Sequence, residues 1–204
     1  MIVFAKSPIP GFAKTRLVPA LGESGAAELH RRLVLTTLGG IGNLQSWDLQ
    51  LWCAGDINHV FFQECARKFD ISLYSQWGET LGNRMFNAFE CTLKEYEKVV
   101  IVGTDCPLLN QSVISQAFQY LDETPAVINP ADDGGYVLLG LKKVDEKIFN
   151  SVDWGTSTVA EQTYIRLSEL KWQYSLLPSL WDVDIPEDLI KLRELDGFYA
   201  FARE

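Results

Sequence analysis

Up to residue 121 the chain alternates between short apolar runs and stretches whose apolar residues fall three and four apart. Ile2-Val3-Phe4-Ala5 is a compact apolar run and predicts a buried strand. Residues 6–22, rich in Pro and Gly, predict a loop. Residues 23–38 place Leu29, Leu33, Leu35 and Leu38 at helical intervals, and Gly39, Gly40 and Gly42 predict the helix's end. Residues 48–54 alternate Leu49, Leu51 and Cys53 as a strand does, 60–69 predict a helix, and 71–74 another strand. Residues 81–96 set Met85, Phe86, Phe89 and Leu93 on one helical face. The unbroken Val99-Val100-Ile101-Val102 predicts a central parallel strand covered on both sides. A helix is expected over 111–121, then two strands, 125–129 and 136–141, around an Asp-Gly-Gly turn. Residues 158–170 open with Thr158-x-x-Glu161, the signature of a capping box. A strand over 172–177 and a helix over 186–195, with Pro186 in its first turn, complete the pattern.

Strands alternating with helices imply an α/β fold: a mixed, mostly parallel sheet between two helical layers. No repeat or linker interrupts the pattern, so residues 1–204 are expected to form one domain. With 47% hydrophobic and 22% charged residues, the composition is that of an ordinary globular chain. The formal net charge of −9 argues against general nucleic-acid binding, because phosphodiester backbones are repelled. A small phosphorylated ligand needs only a local positive patch. Cys53, Cys65, Cys91 and Cys106 form no C-x-x-C pair, which suits reduced thiols in a cytoplasmic protein. No run is long and apolar enough to span a membrane. Nothing in the pattern sets an oligomeric state.

Open α/β sheets bind ligands beyond the carboxyl ends of their strands, and three segments fall there. The first is the loop after Ala5. Residues 1–22 lack Asp and Glu but carry Lys6, Lys14 and Arg16, a local inversion of sign in an acidic chain. Gly11 would let backbone amides approach an oxyanion, Arg16 could fork onto phosphate oxygens, and Lys14 would act as a mobile point charge. The same loop could equally be a solvated, proline-stiffened connection. It matches neither a Walker A loop nor G-x-G-x-x-G. The second segment is Asp105, after the most apolar strand, where Mg²⁺ or Mn²⁺ bridging phosphates would compensate a carboxylate. The third is Asp132-Asp133-Gly134-Gly135, which could also be a simple hairpin turn. Asp182-Val183-Asp184 supplies a further metal ligand or caps the last helix, and Arg84 reaches either a ligand or an acidic loop. His30 and His59 receive no role.

Taken in order, F-A-K-S-P-I-P-G-F-A-K-T-R-L, L-G-N-R-M, G-T-D-C-P-L-L, P-A-D-D-G-G-Y-V-L-L-G-L and D-V-D-I-P-E-D-L resemble a bacterial family of transferases. That family belongs to the nucleotide-diphospho-sugar transferase superfamily, of glycosyltransferase A-type fold. The chain is also similar to molybdenum-cofactor and phospholactate nucleotidyltransferases. The resemblance implies a Rossmann-like three-layer αβα sandwich that binds a nucleotide or nucleotide-sugar, a small acceptor and Mg²⁺ or Mn²⁺. It implies phosphate contacts from Lys14 and Arg16, with Lys14 stabilising charge in the reaction, and metal ligation by Asp105 and Asp184. Asp133 is then a base, with the Gly134 and Gly135 backbone facing the sugar or acceptor. Glycosyl transfer is the first expectation, nucleotidyl transfer the second, and a non-catalytic nucleotide-binding module the third. A D-x-D after the central strand is absent, since Asp105-Cys106-Pro107 stands there.

Overall fold

A computed structural model describes residues 1–42, 46–195 and 198. Its strands are β1 (Ile2–Lys6), β2 (Gln50–Ala54), β3 (Ser72–Ser75), β4 (Val99–Val102), β5 (Ala126–Pro130), β6 (Tyr136–Leu141) and β7 (Tyr174–Leu176). Its helices are α1 (Val18–Ile41), α2 (Val60–Phe69), α3 (Leu81–Thr92), α4 (Gln111–Glu123), α5 (Val159–Glu169) and α6 (Asp188–Leu192). The strands form one sheet in the order β3-β2-β1-β4-β6-β5-β7. Only β6 runs against its neighbours, pairing antiparallel with both β4 and β5. Among the described residues no helix is long and apolar enough to cross a membrane.

The strand period of two separates the two sides of the sheet. Val3, Leu51, Val100, Val102 and Val127 face one way and pack with Val34 and Leu38 of α1, Phe62 of α2 and Ile114 of α4. Ile2, Trp52, Val99, Ile101 and Leu139 face the other way, onto Met85 and Phe89 of α3 and Leu167 of α5. The sheet is therefore covered on both faces, which is why β4 is apolar at every position. A third cluster joins Leu17, Leu29 and Leu33 to Val183, Leu189 and Leu192, tying the first loop and α1 to the far end of the chain.

Several predicted boundaries move. The first helix starts at Val18, passes a break at Gly22 (φ 70°, ψ 166°), and continues through Gly39 and Gly40 to Ile41. Two glycines cost a helix about 2 kcal/mol at most, less than the burial of Leu38 and Ile41 returns. α3 ends at Thr92, four residues early. Thr158 makes no side-chain cap on α5; Ala160 N–H instead donates to the Gly134 carbonyl at 2.9 Å. The capping box lies at α3, between Thr80 and Asn83. The last helix is only Asp188–Leu192, with Pro186 ahead of it.

Gly140 pairs with both Val100 and Val127 in the middle of the sheet. A Cβ there would sit 2.6 Å from Val127 Cγ1 and 3.1 Å from Leu121 Cδ1. Gly140→Ala should therefore destabilise by about 1–3 kcal/mol through overpacking. Urea denaturation followed by circular dichroism measures this, and an unchanged midpoint would refute the tight fit.

Candidate functional site

All the segments singled out in the sequence converge on the carboxyl edge of the sheet. β1, β4 and β5 deliver the basic loop, Asp105 and Asp133 to that edge. The late acidic segment arrives because β7 continues along β5: Leu177 N–H donates to Ile128 O, Leu180 N–H to Pro130 O, and Asp132 N–H to Leu180 O. Val183 N–H then reaches Asp105 O at 2.9 Å, fastening residues far apart in sequence.

The basic loop folds on Ile9, whose carbonyl accepts from Phe12 and Ala13 N–H. Gly11 has φ 78°, and its open side faces the Glu23 carboxylate. It does not line the cavity described below, so its glycine serves the turn. Lys14 takes a left-handed conformation (φ 50°) that turns its side chain inward. That side chain is 4% exposed; its Nζ lies 2.8 Å from Asp105 Oδ1 and donates to the Val183 carbonyl. Lys14 is thus a buried, pinned cation and not a mobile charge, since a buried ammonium demands paired acceptors. Arg16 stays exposed and pairs with Asp184. Arg84 donates from Nε to Gly78 O at 3.0 Å.

Burial works against charge on Asp105, but the Lys14 ammonium, with His30 and Lys6 nearby, outweighs it and holds the carboxyl below its ordinary range. His30 Nε2–H donates to Lys6 O at 3.1 Å, and burial lowers its pKa despite Asp105. Asp182 is the opposite case. Burial and the charges of Asp133 and Asp105 push its pKa up to about 6. Asp133 accepts from Gly135 N–H at 2.8 Å through Oδ1. Gly134 (φ 89°) is pressed against Ser157, leaving a Cβ there only 2.0 Å from the Ser157 carbonyl.

Of the cavities at this edge, two share Phe4, Arg16, Leu81, Gly103, Asp105 and Asp184, and a third, of about 350 Å³ and bearing Lys191, adjoins the acidic one through Asp133, Thr156 and Asp182. The larger, about 410 Å³, gathers four cations, Lys6, Lys14, Arg16 and Arg84, along with Phe12, His30 and Gln76. The smaller, about 260 Å³, has a largely apolar wall and gathers Asp105, Asp133, Asp182 and Asp184, with Arg16 its one basic residue among those described. Gly135 lines this second cavity; Gly134 lines neither. Cys106 lines it too, but burial pushes its thiol up to about 11, which disqualifies it as a nucleophile. Among the described residues no three His, Cys, Asp or Glu side chains are grouped so as to hold a metal ion.

Sequence reasoning passed over His30, Gln76 and Trp154, and left Asp182 second to Asp184. Gln76 had a usable signal, because it directly follows β3 at the ligand-binding edge. His30 and Trp154 had none, since each reaches the site from an element whose position only the tertiary fold determines.

Residues 37–156 match the model of the family described as "Uncharacterized protein conserved in bacteria (DUF2064)", and the chain belongs to that family. It is similar to a 2-phospho-L-lactate guanylyltransferase from Methanothermobacter thermautotrophicus, 25% identical over 124 residues. That match covers 60% of this chain and 53% of the relative, so the chain spans about half the relative's length. Among solved structures, a protein from Desulfovibrio desulfuricans G20 assigned to the nucleotide-diphospho-sugar transferases superposes with TM-score 0.86 and 28% identity. The alignment covers 98% of this chain and 91% of that one. A cytidylyltransferase from Leptospira borgpetersenii gives TM-score 0.58 at 14% identity, covering 94% and 83% respectively, a likeness of fold alone. The fold is that of the nucleotide-diphospho-sugar transferases, and the related proteins are transferases, nucleotidyltransferases in particular.

The raised pKa of Asp182 is a statement about stability. A carboxyl that binds its proton more tightly when folded loses stability as pH rises from its unfolded value of 3.8 through about 6. Asp182→Asn removes that loss, so its Tm should match the wild type near pH 4 and exceed it above pH 6. Partial exposure limits the gain to about 1 kcal/mol, or about 2–4 °C. Thermal denaturation across this range tests it; a variant less stable at pH 7.5 than at pH 4, relative to wild type, would reverse the sign and reject the clustering of charge.

Proposed function

We propose that this chain is a metal-assisted transferase that moves a sugar from a nucleotide donor to the hydroxyl of a small acceptor. The observation that carries the reading is the opposite charge of the two halves of one cleft. Four cations line the larger cavity, which suits the phosphates of the donor. The smaller cavity is acidic and apolar, which suits an acceptor and a group that takes its proton.

The division of labour follows from the contacts. Arg16, Lys6 and Arg84 bind and orient the donor phosphates. Lys14 positions Asp105 and the Val183 segment and adds its charge from beneath. The acceptor hydroxyl attacks the anomeric carbon while the bond from that carbon to the diphosphate oxygen breaks. Asp133 Oδ2 takes the hydroxyl proton, because Oδ1 already accepts from Gly135 N–H. The nucleoside diphosphate departs among the basic residues. A general base of this kind contributes about 10²–10⁴-fold in rate.

The residues suit a hard divalent cation. Mg²⁺ usually takes only one or two carboxylates, with water and substrate phosphates completing its shell, so a closed cage of three protein ligands is not required. Asp105 and Asp184 are the candidates, since both border the basic cavity that suits the donor phosphates as well as the acidic one. Such an ion would neutralise charge on the leaving diphosphate.

Nucleotidyl transfer, with pyrophosphate as the product, is the second reading, and the likeness to a guanylyltransferase and a cytidylyltransferase favours it. Incubation with nucleotide-sugars and nucleoside triphosphates plus Mg²⁺ or Mn²⁺ separates the two. Nucleoside diphosphate release, abolished by a chelator, is the expected result. Pyrophosphate release would replace the first reading by the second, and inactivity across the panel with nucleotide binding intact would reject both.

Arg16→Ala should weaken nucleotide binding by about 1.5–3 kcal/mol, the loss of a hydrogen bond to a charged group. Calorimetric titration measures it, and wild-type affinity would remove Arg16 from the phosphate site.

A further inference from the structure

We propose that the smaller cavity selects an acceptor with an apolar body that is neutral or bears an amine, and excludes phosphorylated and carboxylate acceptors. The proposal rests on the transferase reading above and extends it to the class of acceptor.

The walls define the body. Met85 and Ile101 supply apolar surface, and the rings of Tyr136 and Trp154 meet edge to face, their centroids 6.4 Å apart at 84°. The Tyr136 hydroxyl points toward Met85 Sδ at 3.9 Å, so this residue offers the cavity mainly its ring. A volume of about 260 Å³ has room for one substituted ring, and the cavity adjoins the third one at Gly155 and Thr156.

The charges define the polar end. Asp105 is matched by Lys14 and Asp184 by Arg16. Among the described residues no ion pair reaches Asp133 or Asp182, so the compartment holds two unmatched carboxylates. A divalent cation on Asp105 and Asp184 would lie where the two cavities meet and leave Asp133 and Asp182 without an ion pair. An anionic acceptor would meet like charge beside an arginine that is already paired, whereas an ammonium would meet two carboxylates beside two aromatic rings. The relative named for 2-phospho-L-lactate acts on a phosphorylated acid, and the cavity of this chain has the opposite requirement.

Four matched phenols test the idea on the full chain at pH 7.5 with Mg²⁺: tyramine, 4-ethylphenol, 3-(4-hydroxyphenyl)propionate and 2-(4-hydroxyphenyl)ethyl phosphate. Saturation-transfer NMR with competition gives their relative affinities. Tyramine should bind best and 4-ethylphenol next, with both anions weaker by roughly tenfold or more. Asp133→Asn retains the acceptor oxygen that holds Gly135 N–H, so the turn survives. It should reduce the preference for tyramine over 4-ethylphenol severalfold. Thr156→Lys, an exposed substitution on the cavity rim, should strengthen both anions. An anion that matches 4-ethylphenol in the wild type, a tyramine preference that neither variant alters, or binding by none of the four would overturn the proposal. Nucleotide binding measured in the same samples keeps the two ideas apart: its absence beside an intact order of probes defeats the transferase reading alone, and its presence beside a reversed order defeats the acceptor assignment alone.

Discussion

The site depends on one buried cation. Lys14 leaves the first loop in a left-handed turn, passes inward, and ends between the Asp105 carboxylate and the Val183 carbonyl. An ammonium withdrawn from water is tolerated only when such partners replace its hydration. Here they come from two parts of the chain, the loop after β4 and the segment beyond β7, and Lys14 joins both to the loop after β1. The apolar cluster of Leu17, Leu29, Leu33 and Val183 lies beside this junction and is anchored by residues adjacent in sequence to the charged ones. Packing and ion pairing are therefore coupled. Moving the loop would expose Leu17 and strand Asp105 without its partner.

From that junction the cleft acquires two chemical halves. The first loop contributes Lys6 and Arg16 without a single acidic residue within it, so positive potential collects over β1 and β4 despite a chain of net charge −9. The hairpin between β5 and β6 and the segment at 182–184 contribute carboxylates on the other side. A transferase needs this contrast. Donor phosphates require cations, while an acceptor hydroxyl requires a nearby base that is not already bound to one.

Much of the fold was legible because its signals are local. The unbroken run Val99–Val102 announces a strand covered on both faces, and strand–helix alternation announces a parallel sheet. The convergence of the loops after β1, β4 and β5 on one edge was legible too, since parallel strands end on the same side of the sheet. What remained hidden depends on contacts between distant residues. Lys14 looked mobile because nothing in its neighbourhood in sequence names Asp105 or Val183 as partners. Gly39 and Gly40 looked like a helix stop because propensity is a small local term that burial of Leu38 and Ile41 overrides. Thr158 and Glu161 had the spacing of a capping box, but the Thr158 hydroxyl is engaged by Thr156 and Gln162 instead.

Asp182-Val183-Asp184 illustrates how a short pattern can hold more information than its composition conveys. The sequence presents two equivalent aspartates. Val183 is fully buried, with its amide on Asp105 and its carbonyl on Lys14, so the flanking side chains cannot share one environment. Asp184 turns to Arg16 and borders both cavities; Asp182 borders the acidic cavity but not the basic one, and faces Asp105 and Asp133. One aspartate thereby tethers the basic loop, and its neighbour is left with a charge that the protein alone does not neutralise. Position within an anchored, extended segment separates the two roles, and side-chain type does not. The same logic applies after the central strand: Asp105 follows β4, and the segment beyond β7 brings Asp182 and Asp184 to the same cavity.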